Sequence, residues 1–261
     1  MKIGIVQMPM DWTVASNSYS VQRLMKKYKN NDVDLLVFPI LTLTGVHEET
    51  LLQGQDGRLE EAMLQLKECC VKNQISIALG VPFTHQKVSK HGEKKHEKHE
   101  LNYLLIDKEG EVKVNWSQLK NYGSRDLEFE TGSLERECAE LDSHKISSLL
   151  WCEAREEKMY LESLGGAKPD MILWPTAVGD VPEERKDEGY AYTKGIKAIS
   201  LALEAWLFES NWGASVYDIK GLGGNRVVSP EGEIVFRCPE DELGVGIYDT
   251  ESRQGSWHEW E

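Results

Sequence analysis

Apolar residues along the chain fall into two alternating patterns. Short β-rich runs occupy Lys2 to Met8, Leu35 to Phe38, Ile75 to Gly80, Tyr103 to Asp107, Ile146 to Trp151, Met171 to Trp174, Trp206 to Asn211, Val227 to Ser229 and Val245 to Tyr248. Between them, Ser18 to Lys29, Arg58 to Asn73, Glu156 to Gly165 and Tyr190 to Glu204 mix apolar and charged residues at near-helical spacing, and each ends near Gly, Asn or Pro. Strands alternating with helices predict α/β layers in which the helices cover the sheets. No internal repeat or linker divides the chain, so its 261 residues are expected to form a single domain, 1–261. A chain of this length buries roughly three quarters of its unfolded surface.

The hydrophobic fraction of 40% and charged fraction of 28% are ordinary for a globular protein in water. No apolar stretch approaches the roughly 18 residues of a membrane span, so no membrane partner is expected. Met1-Lys2-Ile3-Gly4-Ile5-Val6-Gln7 runs straight into a strand pattern without the apolar segment of a signal peptide, which predicts a cytoplasmic protein. Forty-four acidic against thirty basic residues give a net charge of −14. That charge repels phosphate backbones and argues against nucleic acid as a partner. The cysteines, Cys69, Cys70, Cys138, Cys152 and Cys238, show neither zinc spacing nor a disulfide framework and read as reduced thiols. The segment Lys87 to Glu100 carries His91, His96 and His99, but its five lysines repel a cation and no Cys or Asp joins the histidines. It reads as a solvated hairpin tip, and neither a metal nor another cofactor is expected.

Several segments, in order, resemble the nitrilase (carbon-nitrogen hydrolase) superfamily. Lys2 to Pro9 is similar to its opening strand, and Asp34-Leu35-Leu36-Val37-Phe38-Pro39-Ile40-Leu41-Thr42-Leu43-Thr44-Gly45 to its second strand and turn. Asn102 to Asp107 with Gly110 to Val114 resembles its central hairpin, Phe129-Glu130-Thr131-Gly132 the loop before the nucleophile strand, and Gly223 to Ile234 a late strand-turn-strand. Together they span almost the whole chain. The resemblance implies a four-layer αββα sandwich and dimers formed through helices. It also implies a mechanism in which a Cys attacks a nitrile or amide carbon, a Glu moves the proton and a Lys stabilises the tetrahedral intermediate. The chemistry explains these residue types, since a thiol needs a base to become thiolate and the oxyanion needs fixed positive charge.

Carried onto this chain, the resemblance puts Ile40 where the family has its Glu, with matching residues on both sides. The nearest carboxylates downstream, Glu48 and Glu49, lie beyond the Thr44-Gly45 turn. The Lys falls on Gln118, with Lys120 two residues along. For the nucleophile, Ile146 to Arg155 offers two registers. The ungapped one sets Trp151 on the Cys, with Glu153 and Arg155 on the following acid and Arg; the other sets Cys152 on the Cys but loses Arg155. A one-residue slip at a strand end sends a side chain to the opposite face, so Cys152 does not simply replace Trp151. Two further departures are Ala202-Leu203-Glu204, where many members have Glu-Asn-Gln, and Asn225 in place of a common Ser.

Two functions follow. In the first, the chain is a catalytically degenerate member that binds a small molecule or another subunit, because losing one member of a cooperating set already removes most of the rate. In the second it is an amide or nitrile hydrolase with a rearranged site, using Cys152 as nucleophile, Lys120 as cation and Glu153 as base. A homodimer, or pairing with a related subunit, is expected through helices bearing Met159, Tyr160, Leu161 and Leu164, and Ile196, Ile199, Leu203 and Trp206.

Overall fold

The computed structural model describes residues 1–29, 33–47, 49–53, 57–87, 96–120, 129–179, 186–215 and 222–260. Of the segments singled out above, Glu48, His91 and the side chain of His96 lie outside the described residues. His99 lies in a strand, its Nδ1 3.0 Å from Thr84 Oγ1. Among the described residues no group of three or more His, Cys, Asp or Glu side chains could hold a metal ion. No described helix is long and apolar enough to cross a membrane.

Two sheets form the centre. The first is seven-stranded among the described residues, in the order β13 (Gln254–Glu259), β12 (Gly244–Asp249), β1 (Lys2–Gln7), β2 (Leu35–Val37), β3 (Ser76–Lys87), β4 (His96–Ile106) and β5 (Val112–Ser117). The second, likewise among the described residues, is six-stranded, in the order β11 (Ile234–Arg237), β10 (Arg226–Val228), β9 (Trp206–Ser210), β8 (Met171–Pro175), β7 (His144–Ser148) and β6 (Ala139–Leu141). β1, β2 and β3 run parallel, as do β7, β8 and β9.

The alternation of side chains along each strand sorts the apolar residues into three cores. Ile3, Ile5, Leu35, Val37 and Tyr103 of the first sheet meet Ile146, Met171, Leu173, Phe208 and Val227 of the second. On the outer side of the first sheet, Leu36, Ile77 and Leu79 pack with α1 (Val14–Lys27) and α3 (Gly57–Asn73) through Val21, Leu24, Leu66 and Cys70. On the outer side of the second, Ile172, Trp174, Leu207 and Val228 pack with α4 (Glu157–Ser163) and α5 (Lys186–Leu203) through Tyr160, Tyr192, Ile196 and Ile199. Helix, sheet, sheet, helix is the expected αββα sandwich.

Helix starts follow local chemistry. α1 begins at Val14, ahead of the pattern's Ser18, because Thr13 Oγ1 accepts from Ser16 N at 3.2 Å and caps the first turn. The strands that the apolar pattern omits include β6 and β13, each at a sheet edge where one side stays in water, and the one-turn α2 (Thr50–Gln53) was likewise not foreseen. The helical stripes proposed for dimerisation need correction. Tyr160, Leu164, Ile196 and Ile199 are already buried on the sheet beneath them, and Trp206 lies in β9 rather than on a helix.

Polar ties join the sheets. The Gln7 side chain donates to Pro239 O (3.0 Å) and Glu242 O (2.9 Å), and accepts from Asn225 N. Asn225 Nδ2 donates to Val6 O at 3.2 Å, and its Oδ1 accepts from Asn211 N at 2.8 Å. Asn225 is buried, so its amide makes bonds to both sheets that a serine would be too short to make together.

Candidate functional site

Three segments converge where β2, β5 and β7 end. After β2 the chain turns sharply at Pro39 to Gly45. Leu41 takes φ +52, Gly45 N donates to Leu41 O at 2.8 Å, and Thr42 Oγ1 donates to Pro39 O at 2.6 Å. This turn lies directly on β3. A Cβ at Gly80 would collide with the Leu41 amide nitrogen and come within 2.9 Å of the Ile40 carbonyl carbon, so only glycine fits. Ile40 is fully buried in the inter-sheet core, and its carbonyl accepts the Trp212 indole N–H at 3.1 Å.

β7 ends in an elbow. Leu150 is still extended, Trp151 has φ +43, and residues Trp151–Arg155 form a 3-10 turn leading into α4. A bulky side chain in the left-handed region is rare, and such turns are where a strand hands a side chain to a site. The Trp151 carbonyl accepts from Trp174 Nε1 at 2.8 Å, and its indole packs against both the inter-sheet core and the helix-side core. Cys152 falls in the helix-side core, where Tyr192 OH donates to its Sγ at 3.2 Å. α5 comes close enough here that a Cβ at Gly195 would overlap the Ala154 carbonyl oxygen.

Glu153 locks the third segment to the elbow. It is wholly buried, and its carboxylate accepts from Leu150 N and Leu119 N at 2.7 Å each. Arg136 Nη2 donates to both its oxygens at 2.8 Å. Burial pushes the Glu153 carboxyl above the usual carboxylate range, while the Arg136 guanidinium and the two backbone N–H groups work against that shift. Gln118, just beyond β5, is buried; its backbone bonds Leu101 O and Gly132 N, and its side-chain amide donates to the Lys120 carbonyl. Lys120 points outward, its Nζ 2.8 Å from Glu156 Oε1, with both side chains substantially exposed.

The structure therefore brings Ile40 and Trp151 into one apolar region, with the Gln118 segment tied alongside through Leu119 and Glu153. Cys152, Lys120 and Glu153 each have a partner outside that set. The thiol faces α5, the ammonium faces Glu156, and the carboxylate is held by Arg136 and two backbone amides. Arg136, Trp174 and Trp212, which hold this arrangement, were not singled out from sequence; Arg136 sits in the charged run Glu135-Arg136-Glu137, which reads as surface.

No family model matches the sequence, and no curated protein does. Solved structures do. An amidase from Nesterenkonia sp. superposes with a TM-score of 0.77 at 18% identity, covering 95% of this chain and 89% of that one. A mutant of the Nesterenkonia sp. AN1 amidase lacking its cysteine, in complex with butyramide, gives 0.78 at 18% identity over 97% and 92% of the two chains. A second mutant, showing the product of Michael addition of acrylamide at the active site cysteine, gives 0.78 at 18% over 95% and 92%. The amidase is described as a member of the nitrilase superfamily. From end to end, this chain has the fold of the nitrilase-superfamily amidases.

Proposed function

We propose that this chain is a catalytically degenerate member of the nitrilase superfamily, working in the cytoplasm as a small-molecule-binding or oligomer-forming subunit. The observation that carries the reading is Ile40. At the position the resemblance gives to the general base stands a fully buried isoleucine within an apolar core, which neither accepts nor donates a proton. Gln118 supplies no charge to an oxyanion, and Trp151 fills the elbow with an indole where a thiolate would act. The test is a broad ammonia-release panel of amides, nitriles and ureido compounds on purified protein, with no turnover expected above a heat-treated control.

The rival reading is a carbon-nitrogen hydrolase using Cys152, and it draws support from the amidase fold and from a thiol one residue past the elbow. Turnover abolished by Cys152→Ala would establish it and end the first reading. Self-association, if it uses the helices of the second sheet, has to use what they leave outside, such as Leu201 and the half-buried Leu161 and Leu203. Light scattering at micromolar concentration is expected to show a dimer.

A further inference from the structure

On the helix side of the second sheet, a cavity of about 150 Å³ opens between α5 and the ends of β8 to β11. Trp174 and Tyr192 form its aromatic walls, and Glu209, Arg226, Arg237 and Glu240 bring two charges of each sign. Neither Ile40 nor Gln118 lines it, but its two aromatic walls touch the elbow, Trp174 Nε1 donating to the Trp151 carbonyl and Tyr192 OH to Cys152 Sγ.

The inner pair is built in. Arg226 and Glu209 have side chains only 11% and 4% exposed. Arg226 Nε and Nη2 donate to the two Glu209 oxygens, and Nη1 donates to Thr193 Oγ1 at 2.8 Å. The guanidinium also lies 5.6 Å from the Trp174 ring centre. Arginine has five N–H donors, so two remain, and each carboxylate oxygen keeps a lone pair. The outer pair is different. Arg237 and Glu240 are exposed and, among the described residues, make no ion pair, although both line the same cavity. Glu240 lies near enough to act on the charge of Arg226.

We propose that this cavity binds a small zwitterionic amino acid, its carboxylate set against the arginines and its ammonium against the carboxylates. The charges select the class. A simple anion meets Glu209, Glu240 and the net charge of −14, and a simple cation meets Arg226 and Arg237. An uncharged apolar ligand leaves the inner pair desolvated with nothing in return. The seat itself is small, since about 150 Å³ matches a group the size of benzene, so small amino acids are the fitting probes. The proposal deepens the reading of the chain as a small-molecule-binding subunit. Its failure would remain separable from failure of that reading, since loss of hydrolysis is scored by ammonia release and this site by binding.

The test is calorimetry and thermal shift on the full chain with L-alanine, L-serine, β-alanine and γ-aminobutyrate at 10 mM. Each is paired with its N-acetyl form, which lacks the ammonium, and its carboxamide, which lacks the carboxylate. At least one zwitterion should bind and raise the melting temperature by mass action. Removing either charge from the ligand should weaken binding about fivefold or more, the upper range for a single exposed ion pair. Arg237→Ala and Glu240→Gln alter exposed side chains, so both should fold as wild type and each should weaken binding to the same degree. No binding by any zwitterion at 10 mM would overturn the proposal. So would equal binding of the N-acetyl or carboxamide forms, or binding unchanged in the Arg237→Ala/Glu240→Gln double variant.

Discussion

Arg136→Met tests whether the buried pair holds the elbow. Arg136 and Glu153 have side chains 1% and 0% exposed, and among the described residues the Arg136 Nε finds no partner. Removing the guanidinium leaves a wholly buried carboxylate with Leu119 N and Leu150 N as its donors among the described residues. Breaking a buried pair by deleting one member costs about 3–5 kcal/mol. The loss should depend on pH. With its main opposing influence gone, the already raised Glu153 pKa rises further, and a raised folded-state pKa favours folding below the unfolded value and is lost as pH climbs through the folded one. The destabilisation should therefore shrink by up to about 1.4 kcal/mol for each pH unit on going from pH 7 towards pH 5. Guanidinium unfolding followed by tryptophan fluorescence at pH 5, 6 and 7 measures this. Adding Glu153→Gln to Arg136→Met should abolish the pH dependence. A loss below about 1 kcal/mol at pH 7, or one that does not change with pH, would refute the account, since lost packing alone is blind to protonation.

Two further outcomes are expected. Gly80→Ala drives a Cβ into the backbone of the Leu41 turn and should cost about 3 kcal/mol, the upper range for overpacking, read as a lowered unfolding midpoint at unchanged slope. Cys70, buried between α3 and the first sheet, has its thiol pushed up to about 12 by burial, with Cys69 and Asp107 adding to the effect. A raised folded pKa gives stability that is full below the unfolded value near 9.0 and lost from there up to about 12, so Cys70→Ala should flatten the alkaline fall of stability over that window.

The layers were readable because most strands are buried on both faces or alternate cleanly. Leu35-Leu36-Val37 and Met171-Ile172-Leu173-Trp174 carry apolar residues to the inter-sheet core and the helix-side cores at once, which leaves no other reading of the run. β13, with the sequence Gln-Gly-Ser-Trp-His-Glu, is largely exposed at a sheet edge and gave the pattern little to report. Around the elbow less was legible. The burial of Ile40 follows from its type. Arg136 could not be found, since burial of an arginine depends on a carboxylate 17 residues away and on the fold that brings them together. Glu153 was singled out as a base, and a sequence does not reveal that two backbone amides and a guanidinium already occupy its oxygens.

The elbow fixes where the side chains of Trp151 and Cys152 go. Holding a bulky residue at φ +43 costs about 1–2 kcal/mol, and such strain persists only where the surroundings over-determine it. Here they do. Glu153 accepts from Leu150 N just before the turn, Trp174 donates to the Trp151 carbonyl within it, and α5 closes on Ala154 just after it. Each contact fixes backbone rather than the side chain at position 151, so the turn is maintained whether that side chain reacts or packs. In this chain it packs. Cys152, one residue on, follows the same fixed backbone into the helix-side core and onto Tyr192. For Cys152 to act from the inter-sheet space, those contacts would have to break together, and the Glu153 carboxylate that a rearranged mechanism needs as a base is one of the groups making them.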